Sequence, residues 1–238
     1  MSGHANKLYI VIPAYNEEAN IETVAREWHD TVVSTGADSR ILIIDDGSKD
    51  STYTKLYALK KMLPQLEVVT KTNSGHGPTV LYGYRYALDQ GAGYVFQTDS
   101  DGQTKSEEFG RLWEARKDYD IQIGFRKGRQ DGGSRIFVTK VLQFLLFLQF
   151  GIWIKDANTP FRLMSGQSLH EVLRYIPENS TLPNTLMAVF YHKRRKKILY
   201  RHISFRPRQG GINSLNFKKI VKIGWQALGD FSNFKKGI

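Results

Sequence analysis

Hydrophobic runs rich in β-branched residues alternate with amphipathic stretches along the first half of the chain. The runs predict strands at residues 8–12, 40–45, 66–70 and 94–98. Apolar positions at helical spacing predict helices at about residues 18–33, 51–62 and 78–90. Asp50 or Ser51 is the predicted N-cap of the second helix, and Gly91 is predicted to end the third. Because alternating strands and helices form parallel sheets covered by helices, the pattern predicts an α/β fold with a mainly parallel central sheet.

The second half of the chain has a different pattern. A glycine- and arginine-rich loop at 126–135 precedes an apolar stretch at 136–154, which is interrupted by Lys140, Gln143 and Gln149. Its uninterrupted apolar pieces are too short to span a bilayer readily, so this stretch is predicted to form a buried or interfacial helix.

The last part of the chain is predicted to contain one more strand. That strand lies at residues 198–205 and is followed by a turn at 206–213, and residues 217–234 then mix lysines with apolar side chains. We therefore predict one domain over residues 1–214 and an amphipathic basic segment over 215–238.

Composition narrows the class of protein. The chain has 238 residues, of which 41% are hydrophobic and 24% charged, which excludes a disordered or collagen-like protein. It has no cysteine, so disulfides, thiolate metal sites and cysteine nucleophiles are excluded. No apolar run precedes the first predicted strand, which predicts residence in the cytoplasm. The net charge of +11 favours polyanionic partners, among them nucleic acid, anionic lipid and diphosphates.

Polar or glycine-rich segments follow the first four predicted strands, at residues 13–17, 46–50, 73–77 and 99–103. In open parallel sheets, ligands bind in the crevice beyond the carboxyl ends of the strands. The four segments are therefore expected to meet at one ligand site.

Two carboxylates separated by one residue, Asp99 and Asp101, follow the fourth predicted strand. An extended backbone projects residues i and i+2 to the same side, so both acids can reach one hard divalent cation such as Mg²⁺ or Mn²⁺. A solvated turn is the alternative, and it is the better explanation for an isolated Asp-x-Asp. The position after the fourth strand favours the metal site.

Two further segments have residues suited to a nucleotide. Tyr15 can flank a base or ribose and Glu17 can accept a hydrogen bond from a hydroxyl, although a strand-to-helix turn explains both equally well. After the second strand, Gly47 permits a sharp turn, and the carboxylate of Asp46 can accept from a base N–H or a ribose hydroxyl. Helix capping does not account for the Asp45–Asp46 pair. The six histidines, among them His76, show no metal-ligand spacing, which argues against a zinc site.

Taken together, these segments resemble the inverting GT-A glycosyltransferases of family two. The similar segments are P-x-Y-N-E at 13–17, D-D-G-S at 45–48, the glycine-rich run at 73–77 and D-x-D at 99–101. The resemblance covers residues 8–214.

Within that family the chain is most similar to the polyprenyl-phosphate sugar synthases, and this similarity continues through residues 124–126, 156–162 and 206–211. It departs from those synthases at 156–162, where they usually end in Ser-Gly-Phe-Arg, and at 211–215, where they have a Gly-x-Ser-Lys type segment.

The resemblance implies roles for individual residues. At the nucleotide it implies Pro13, Tyr15, Glu17, Asp46, Asn73 and Asp99. At the Mg²⁺ or Mn²⁺ ion it implies Asp99, Asp101 and Gln103. For phosphate or acceptor binding it implies Arg126, Arg129, Arg135 and Arg208, although a solvated basic loop is the alternative for these arginines. Asp156 and Asp101 are the implied catalytic residues; Asp156 would act as a base only for a hydroxyl acceptor, and pairing with Arg162 is its alternative.

The implied reaction moves a hexose from a nucleotide diphosphate sugar, with uracil or guanine as base, to a polyprenyl phosphate at the cytoplasmic membrane face. Transfer to a hydroxyl of a growing surface glycan is the alternative. A nucleic-acid-binding module, suggested by the basic run at 193–197, is a more remote one, because no RNA- or DNA-binding motif accompanies that run. A nucleotidyltransferase would have a basic glycine-rich loop after the first strand, which residues 13–16 do not form.

The protein is expected to be peripheral and to meet an anionic membrane through its C-terminal segment. The apolar residues expected on one helical face there are Phe217, Ile220, Val221, Trp225 and Leu228. Two alternatives remain open: the helix packs on the domain, or a partner protein supplies the membrane anchor.

Overall fold

The computed structural model describes residues 6–125, 132–154, 156–206, 231 and 234. In these residues seven strands form one sheet in the order β3-β2-β1-β4-β6-β5-β7. The strands are β1 (Leu8–Ala14), β2 (Arg40–Asp45), β3 (Leu66–Thr70), β4 (Tyr94–Gln97), β5 (Ile121–Phe125), β6 (Arg162–Ser165) and β7 (Ile198–His202). All pairings are parallel except those of β6 with β4 and β5. The predicted α/β fold with a mainly parallel sheet is confirmed.

Helices cover both faces of this sheet. They are α1 (Ile21–Thr35), α2 (Thr52–Lys60), α3 (His76–Asp89), α4 (Gly110–Glu114), α5 (Gly132–Phe150), α6 (Gly166–Leu173) and α7 (Pro183–Lys193), with a 3₁₀ turn at Ser106–Glu108. Apolar residues of α1, α2 and α4 pack on one face, and those of α3, α5, α6 and α7 pack on the other. Since both faces are covered, β1 is buried along its whole length, which explains its continuous apolar run.

Several predicted boundaries are wrong by a few residues. Helix α1 begins at Ile21 rather than 18, because residues 17–20 form a turn, with Asn20 N donating to the carbonyl of Glu17 at 2.9 Å. Helix α3 begins at His76 rather than 78, since proline is compatible with the first helical turn. It ends at Asp89, just before Gly91, whose φ is +77°.

Three other predicted ends also differ. Helix α2 spans 52–60 rather than 51–62, with Ser51 at its N-cap position. The helix predicted within 136–154 is α5, at 132–150. The strand predicted at 198–205 ends at His202, and beyond it Phe205 forms an isolated antiparallel bridge with Thr104.

Strands β5 and β6 were not predicted from the sequence. Strand β6 has four residues and begins at Arg162, so its pattern does not suggest a buried strand. The Arg162 guanidinium is fully buried and donates to the carbonyls of Ala157, Thr159 and Asn184 at 2.6–3.2 Å. These bonds satisfy the buried charge and join the loop before β6 to the start of α7. Burial lowers the pKa of Arg162 from its ordinary value.

Gly77, in the first turn of α3, packs directly against the loop before α7. A Cβ atom at Gly77 would lie 2.2 Å from the Ser180 carbonyl oxygen and 3.0 Å from Pro183 Cδ. We expect Gly77→Ala to destabilise the fold by about 1–3 kcal/mol, because backbone atoms have to move to admit the methyl group. Gly110→Ala is the matched control, since a Cβ there has no neighbour within 4 Å. Urea unfolding of both variants measures the difference, and equal midpoints would contradict the prediction.

Within the described part of the chain, no helix has the length and apolar character needed to cross a membrane. The predicted domain boundary at 214 lies outside the described residues, as do Phe217, Ile220, Val221, Trp225 and Leu228, so both predictions stay predictions. Phe231 and Phe234 are described, and both are buried against Phe150, with ring centroids 5.9 and 6.3 Å away.

Candidate active site

The polar segments after β1, β2, β3 and β4 meet at the carboxyl edge of the sheet. Side chains and backbone of the first segment bond to the second, the second bonds to the third, and the third contacts the fourth. Parallel pairing of the strands produces this arrangement, because it brings their carboxyl ends to one edge. The four segments therefore meet at one place, as the sequence predicts, and the binding of a ligand there stays a prediction.

The first and second segments are held together by reciprocal hydrogen bonds. Asn16 N donates to Ser48 Oγ at 2.9 Å, and Lys49 N donates to Asn16 Oδ1 at 2.8 Å. Asn16 has a φ of +54°, a left-handed conformation that asparagine tolerates better than most residues. Glu17 N donates to Thr52 Oγ1 at 2.8 Å. These bonds fix the turn that precedes α1.

Of the residues assigned to the nucleotide in this turn, Tyr15 is exposed and Pro13 is buried within β1. The carboxylate of Glu17 accepts from Asn20 Nδ2 at 3.0 Å. The side chain of Tyr15 is therefore open to a ligand, whereas Pro13 lies in the sheet. Their contacts with a nucleotide stay predictions.

Protein contacts account for the Asp45–Asp46 pair. Asp45 accepts from Thr70 Oγ1 at 2.8 Å and from Ser48 N at 3.2 Å. Asp46 accepts from the backbone N–H groups of Ser74 and Gly75, both at 2.9 Å, and pairs with Lys71 Nζ. The two carboxylates therefore organise the segments after β2 and β3.

The turn beside this pair is equally constrained. Asn73 Nδ2 donates to the Asp46 carbonyl at 2.8 Å. Gly47 has a φ of +69°, and a Cβ there would lie 3.0 Å from Asn73 N. The predicted sharp turn at Gly47 is thus confirmed. The nucleotide contacts assigned to Asp46 and Asn73 stay predictions.

His76, the first residue of α3, lies beside the two acids that follow β4. Its Nε2 atom is 3.1 Å from Asp99 Oδ1. Desolvation lowers the pKa of His76, but the carboxylates of Asp99, Asp46 and Asp101 raise it more, so the net shift is upward. The sequence offered no spacing that singles out this histidine. Its position follows from the packing of α3 on β1, the strand that pairs with β4.

The loop from Asp99 to Thr104 is a compact turn. Asp101 Oδ1 accepts from Gln103 N at 3.1 Å, Gly102 has a φ of +70°, and the hydroxyls of Thr98 and Thr104 are 2.6 Å apart. Gln103 Nε2 donates to the Arg206 carbonyl at 3.4 Å. Gln103 thus helps to close the loop, and its predicted place at the metal stays a prediction.

The donor set of this loop fits a hard cation that shares its coordination with a ligand. In residues 6–125 and the other described ranges, no three His, Asp or Glu side chains lie close enough to hold a metal by themselves. Mg²⁺ is commonly bound through one or two carboxylates, with waters and substrate phosphates in the other positions. Asp99 and Asp101 match that requirement.

Arg206 attaches the loop at residues 99–104 to helix α1. Its guanidinium donates to both carboxylate oxygens of Glu27, at 2.7 and 3.0 Å, and Ser106 N donates to Glu27 Oε1 at 3.1 Å. Arg206 N also donates to the Gln103 carbonyl at 2.8 Å. Desolvation raises the pKa of Glu27, but its bonds to Arg206 and Ser106 lower it more, so the net shift is downward. Sequence reasoning missed Glu27, because it lies amid ordinary helical residues.

We expect Glu27→Gln to destabilise the fold by about 1–2 kcal/mol at neutral pH, since one charge-assisted bidentate pair is lost. A carboxyl group whose pKa is lower in the folded than in the unfolded protein stabilises the fold at pH values above its unfolded pKa. This stabilisation is lost as the pH falls through the folded pKa. The free energy of unfolding should therefore fall less with decreasing pH in the variant than in the unaltered protein. Unfolding measured from neutral pH to below the ordinary pKa of glutamate tests this. Glu107→Gln is the control, because Glu107 is exposed and 3.7 Å from Arg206. An equal effect of both substitutions would exclude the proposed contribution.

Asp156 is buried and lies in the loop between α5 and β6. Its charge raises the pKa of Arg162 and opposes the effect of burial. The Arg162 guanidinium donates its hydrogen bonds to backbone carbonyls, as described above. These bonds explain the burial of Arg162 without a role for Asp156. The catalytic role of Asp156 stays a prediction. Arg126, Arg129 and Arg208 lie outside the described residues, as does the side chain of Arg135.

The mainly parallel sheet with paired carboxylates at its carboxyl edge is the GT-A glycosyltransferase fold. A model of the family described as Glycosyl transferase family 2 matches residues 9–173. The chain therefore belongs to glycosyl transferase family 2, which confirms the resemblance seen in the sequence.

Relatives and solved structures extend this result. The chain is 23% identical over 220 residues to the undecaprenyl-phosphate 4-deoxy-4-formamido-L-arabinose transferases of Salmonella paratyphi B and Salmonella typhimurium. That match covers 91% of this chain, which spans only 65% of the length of those relatives.

Among solved structures, glucosyl-3-phosphoglycerate synthase from Mycobacterium tuberculosis has a similar fold. Its complex with Mn²⁺, UDP and glucosyl-3-phosphoglycerate superposes with a TM-score of 0.68 at 18% identity, covering 95% of this chain and 80% of that one. Its complex with Mg²⁺ and UDP gives a TM-score of 0.69 at 17% identity, with the same coverage.

Proposed function

We propose that this protein is a metal-dependent inverting glycosyltransferase that moves a hexose from a nucleotide diphosphate sugar to a polyprenyl phosphate. The observation that supports this best is the pair Asp99 and Asp101 at the end of β4, in a chain of glycosyl transferase family 2. The relatives of similar sequence act on undecaprenyl phosphate, which favours a lipid phosphate acceptor. UDP in the similar structures favours uracil over guanine.

The donor would lie along the carboxyl edge of the sheet. Tyr15, exposed beside the ordered turn after β1, would flank the base or ribose, and the segment organised by Asp46 would line the nucleoside. The N-terminus of α3 faces Asp99 through His76, and its backbone N–H groups favour an anionic diphosphate. These positions agree with the order of nucleoside, diphosphate and metal that the proposal requires.

Asp99 and Asp101 would hold Mg²⁺ or Mn²⁺, which supplies charge neutralisation for the departing diphosphate. An acceptor oxygen attacks the anomeric carbon from the face opposite the diphosphate, and the bond from that carbon to the diphosphate oxygen breaks. A lipid phosphate is already an anionic nucleophile, so it needs positioning rather than deprotonation. Asp156 would act as general base only if the acceptor were a hydroxyl of a growing glycan, which is the second candidate.

A polyprenyl phosphate acceptor resides in a bilayer, so we place the protein at an anionic membrane surface on the cytoplasmic side. The net charge of +11 agrees with attraction to anionic headgroups, and a membrane-anchoring partner protein is a further element of the proposal.

The test is a transfer assay with purified protein, Mn²⁺ or Mg²⁺ and a panel of UDP- and GDP-sugars. Undecaprenyl phosphate and a hydroxyl-bearing glycan serve as alternative acceptors. Product formation on the lipid phosphate, dependent on the metal, is the expected result. Transfer to the glycan alone would show that the acceptor is a glycan hydroxyl and not a lipid phosphate. The absence of transfer from every nucleotide sugar would refute the proposal.

A further inference from the structure

The chain that leaves β7 runs beside the end of the loop at residues 99–104. Arg206 N donates to the Gln103 carbonyl at 2.8 Å, and Gln103 Nε2 donates to the Arg206 carbonyl at 3.4 Å. Phe205 and Thr104 form an antiparallel bridge next to these bonds. Gln103 and Arg206 are 103 residues apart in the sequence, so the end of the loop is held by a distant segment of the chain.

Glu27 of helix α1 holds both segments at once. Its two carboxylate oxygens accept from the Arg206 guanidinium, and Oε1 also accepts from Ser106 N, just after the loop. The side chains of Glu27 and Arg206 are only 19% and 29% exposed, so water screens this pair incompletely. We name the pair the Glu27–Arg206 clasp. It ties the end of the loop to a 15-residue helix that packs on the sheet.

The clasp reaches Asp101 through Gln103. Asp101 Oδ1 accepts from Gln103 N at 3.1 Å, and the carbonyl of Gln103 accepts from Arg206 N. The position of the Asp101 carboxylate therefore depends on the backbone of Gln103, which in turn depends on Arg206. Asp99 is placed differently, because it follows β4, whose register with β1 and β6 is set by the sheet.

The two charges of the clasp neutralise each other, so the pair adds little net charge to the site. Its contribution to the site is therefore geometric. Groups that orient a metal ligand without contacting the metal commonly change metal affinity or activity by 10- to 100-fold when they are removed. Two carboxylates can share one cation only if both are held at the right separation, which makes the placement of Asp101 a condition for metal binding.

We propose that Glu27 and Arg206 are positioning residues for the divalent cation, and that their clasp holds Asp101 where it completes a carboxylate pair with Asp99. This inference rests on the proposed function, since it takes these two aspartates as the metal ligands. Its consequence is specific to the metal. The segments after β1, β2 and β3 are held by contacts of their own, so a broken clasp should leave the binding of metal-free nucleoside diphosphate unchanged.

The test titrates UDP calorimetrically, in chelator and over a range of Mn²⁺ concentrations. Glu27→Gln, Arg206→Ala and the double variant are compared with the unaltered full chain. Glu27→Gln should need roughly tenfold more Mn²⁺ to reach half of the metal-dependent gain in UDP affinity. In chelator, all the proteins should bind UDP equally.

Glu171→Gln is the matched control. Glu171 pairs with Lys196, which precedes the amino end of β7 and so lies at the edge of the sheet opposite to Asp101. The control also loses an ion pair between a helix and a segment next to β7, but its Mn²⁺ requirement should equal that of the unaltered protein.

Two further measurements separate positioning from a general loss of stability. The turnover of Glu27→Gln should approach that of the unaltered protein at saturating Mn²⁺, because the substitution changes metal affinity rather than the chemical step. The double variant should need no more Mn²⁺ than the single variants, since each single substitution already breaks the same pair.

Three results would overturn the inference. They are an equal Mn²⁺ requirement in Glu27→Gln and Glu171→Gln, weaker UDP binding by Glu27→Gln in chelator, and additive effects in the double variant. Failure of the proposed function gives a different result. Mn²⁺ would then not raise the UDP affinity of the unaltered protein, or no nucleotide sugar would support transfer although Mn²⁺ affinity depends on Glu27.

Discussion

Asp101→Asn is expected to leave the protein folded and to reduce sugar transfer by roughly 100-fold or more. An amide is neutral and a poorer ligand for Mg²⁺ or Mn²⁺ than a carboxylate. The effect should be large because the described residues supply few other ligands. A cation held by two carboxylates and the diphosphate would lose one of its two negatively charged protein ligands. The measurement is the initial rate over a range of Mn²⁺ and Mg²⁺ concentrations.

Asp89→Asn is the control for this experiment, because Asp89 is an exposed aspartate at the far end of α3. Its turnover should equal that of the unaltered protein, and circular dichroism should show the same fold in all three proteins. Unchanged turnover of Asp101→Asn would refute the metal site, as would full activity of the unaltered protein in chelator.

The second large effect is expected at Asp46. Asp46→Ala removes the buried carboxylate that accepts from Ser74 N and Gly75 N and pairs with Lys71, and each hydrogen bond to a charged group contributes about 1.5–3 kcal/mol. The glycine-rich segment at 73–75 then loses its anchor, so binding of the free nucleoside diphosphate should weaken at least tenfold, together with a loss of stability. Calorimetric titration with UDP and GDP measures the affinity.

Asp156→Ala is the matched comparison, since it removes a second buried carboxylate of the same edge. It should leave nucleoside diphosphate affinity nearly unchanged and lower turnover, because Asp156 is assigned to the acceptor side. Asp46→Asn, which keeps one acceptor oxygen, should retain more nucleotide affinity than Asp46→Ala. Equal losses of nucleotide affinity in Asp46→Ala and Asp156→Ala would show that the division into donor and acceptor sides is wrong.

Local pattern was sufficient for the first half of the fold. Strands β1 to β4 have strong apolar runs, and each is followed by polar residues that identify the carboxyl edge. The Asp-x-Asp at 99–101 could be assigned because its position at a strand end follows from the same pattern. Short elements without a distinct pattern could not be predicted, as β6 shows, where a buried arginine is satisfied by carbonyls of the preceding loop and by that of Asn184, 22 residues away.

The site itself depends on contacts that no local pattern contains. Asp46 looks like a nucleotide ligand in the sequence, whereas the fold gives its carboxylate three protein donors from residues 71–75. His76 and Asp99 are 23 residues apart, and Arg206 and Glu27 are 179 apart, yet both pairs are in contact. Only the tertiary structure brings such residues together.

The sequence by itself determined the family, the α/β class and the edge of the sheet at which the polar segments meet, because strand periodicity and the residues after each strand are local properties. The tertiary structure decided which carboxylates organise loops and which face of α5 is left exposed. Those outcomes depend on burial and on pairing between distant segments, and both are set when the helices pack on the sheet.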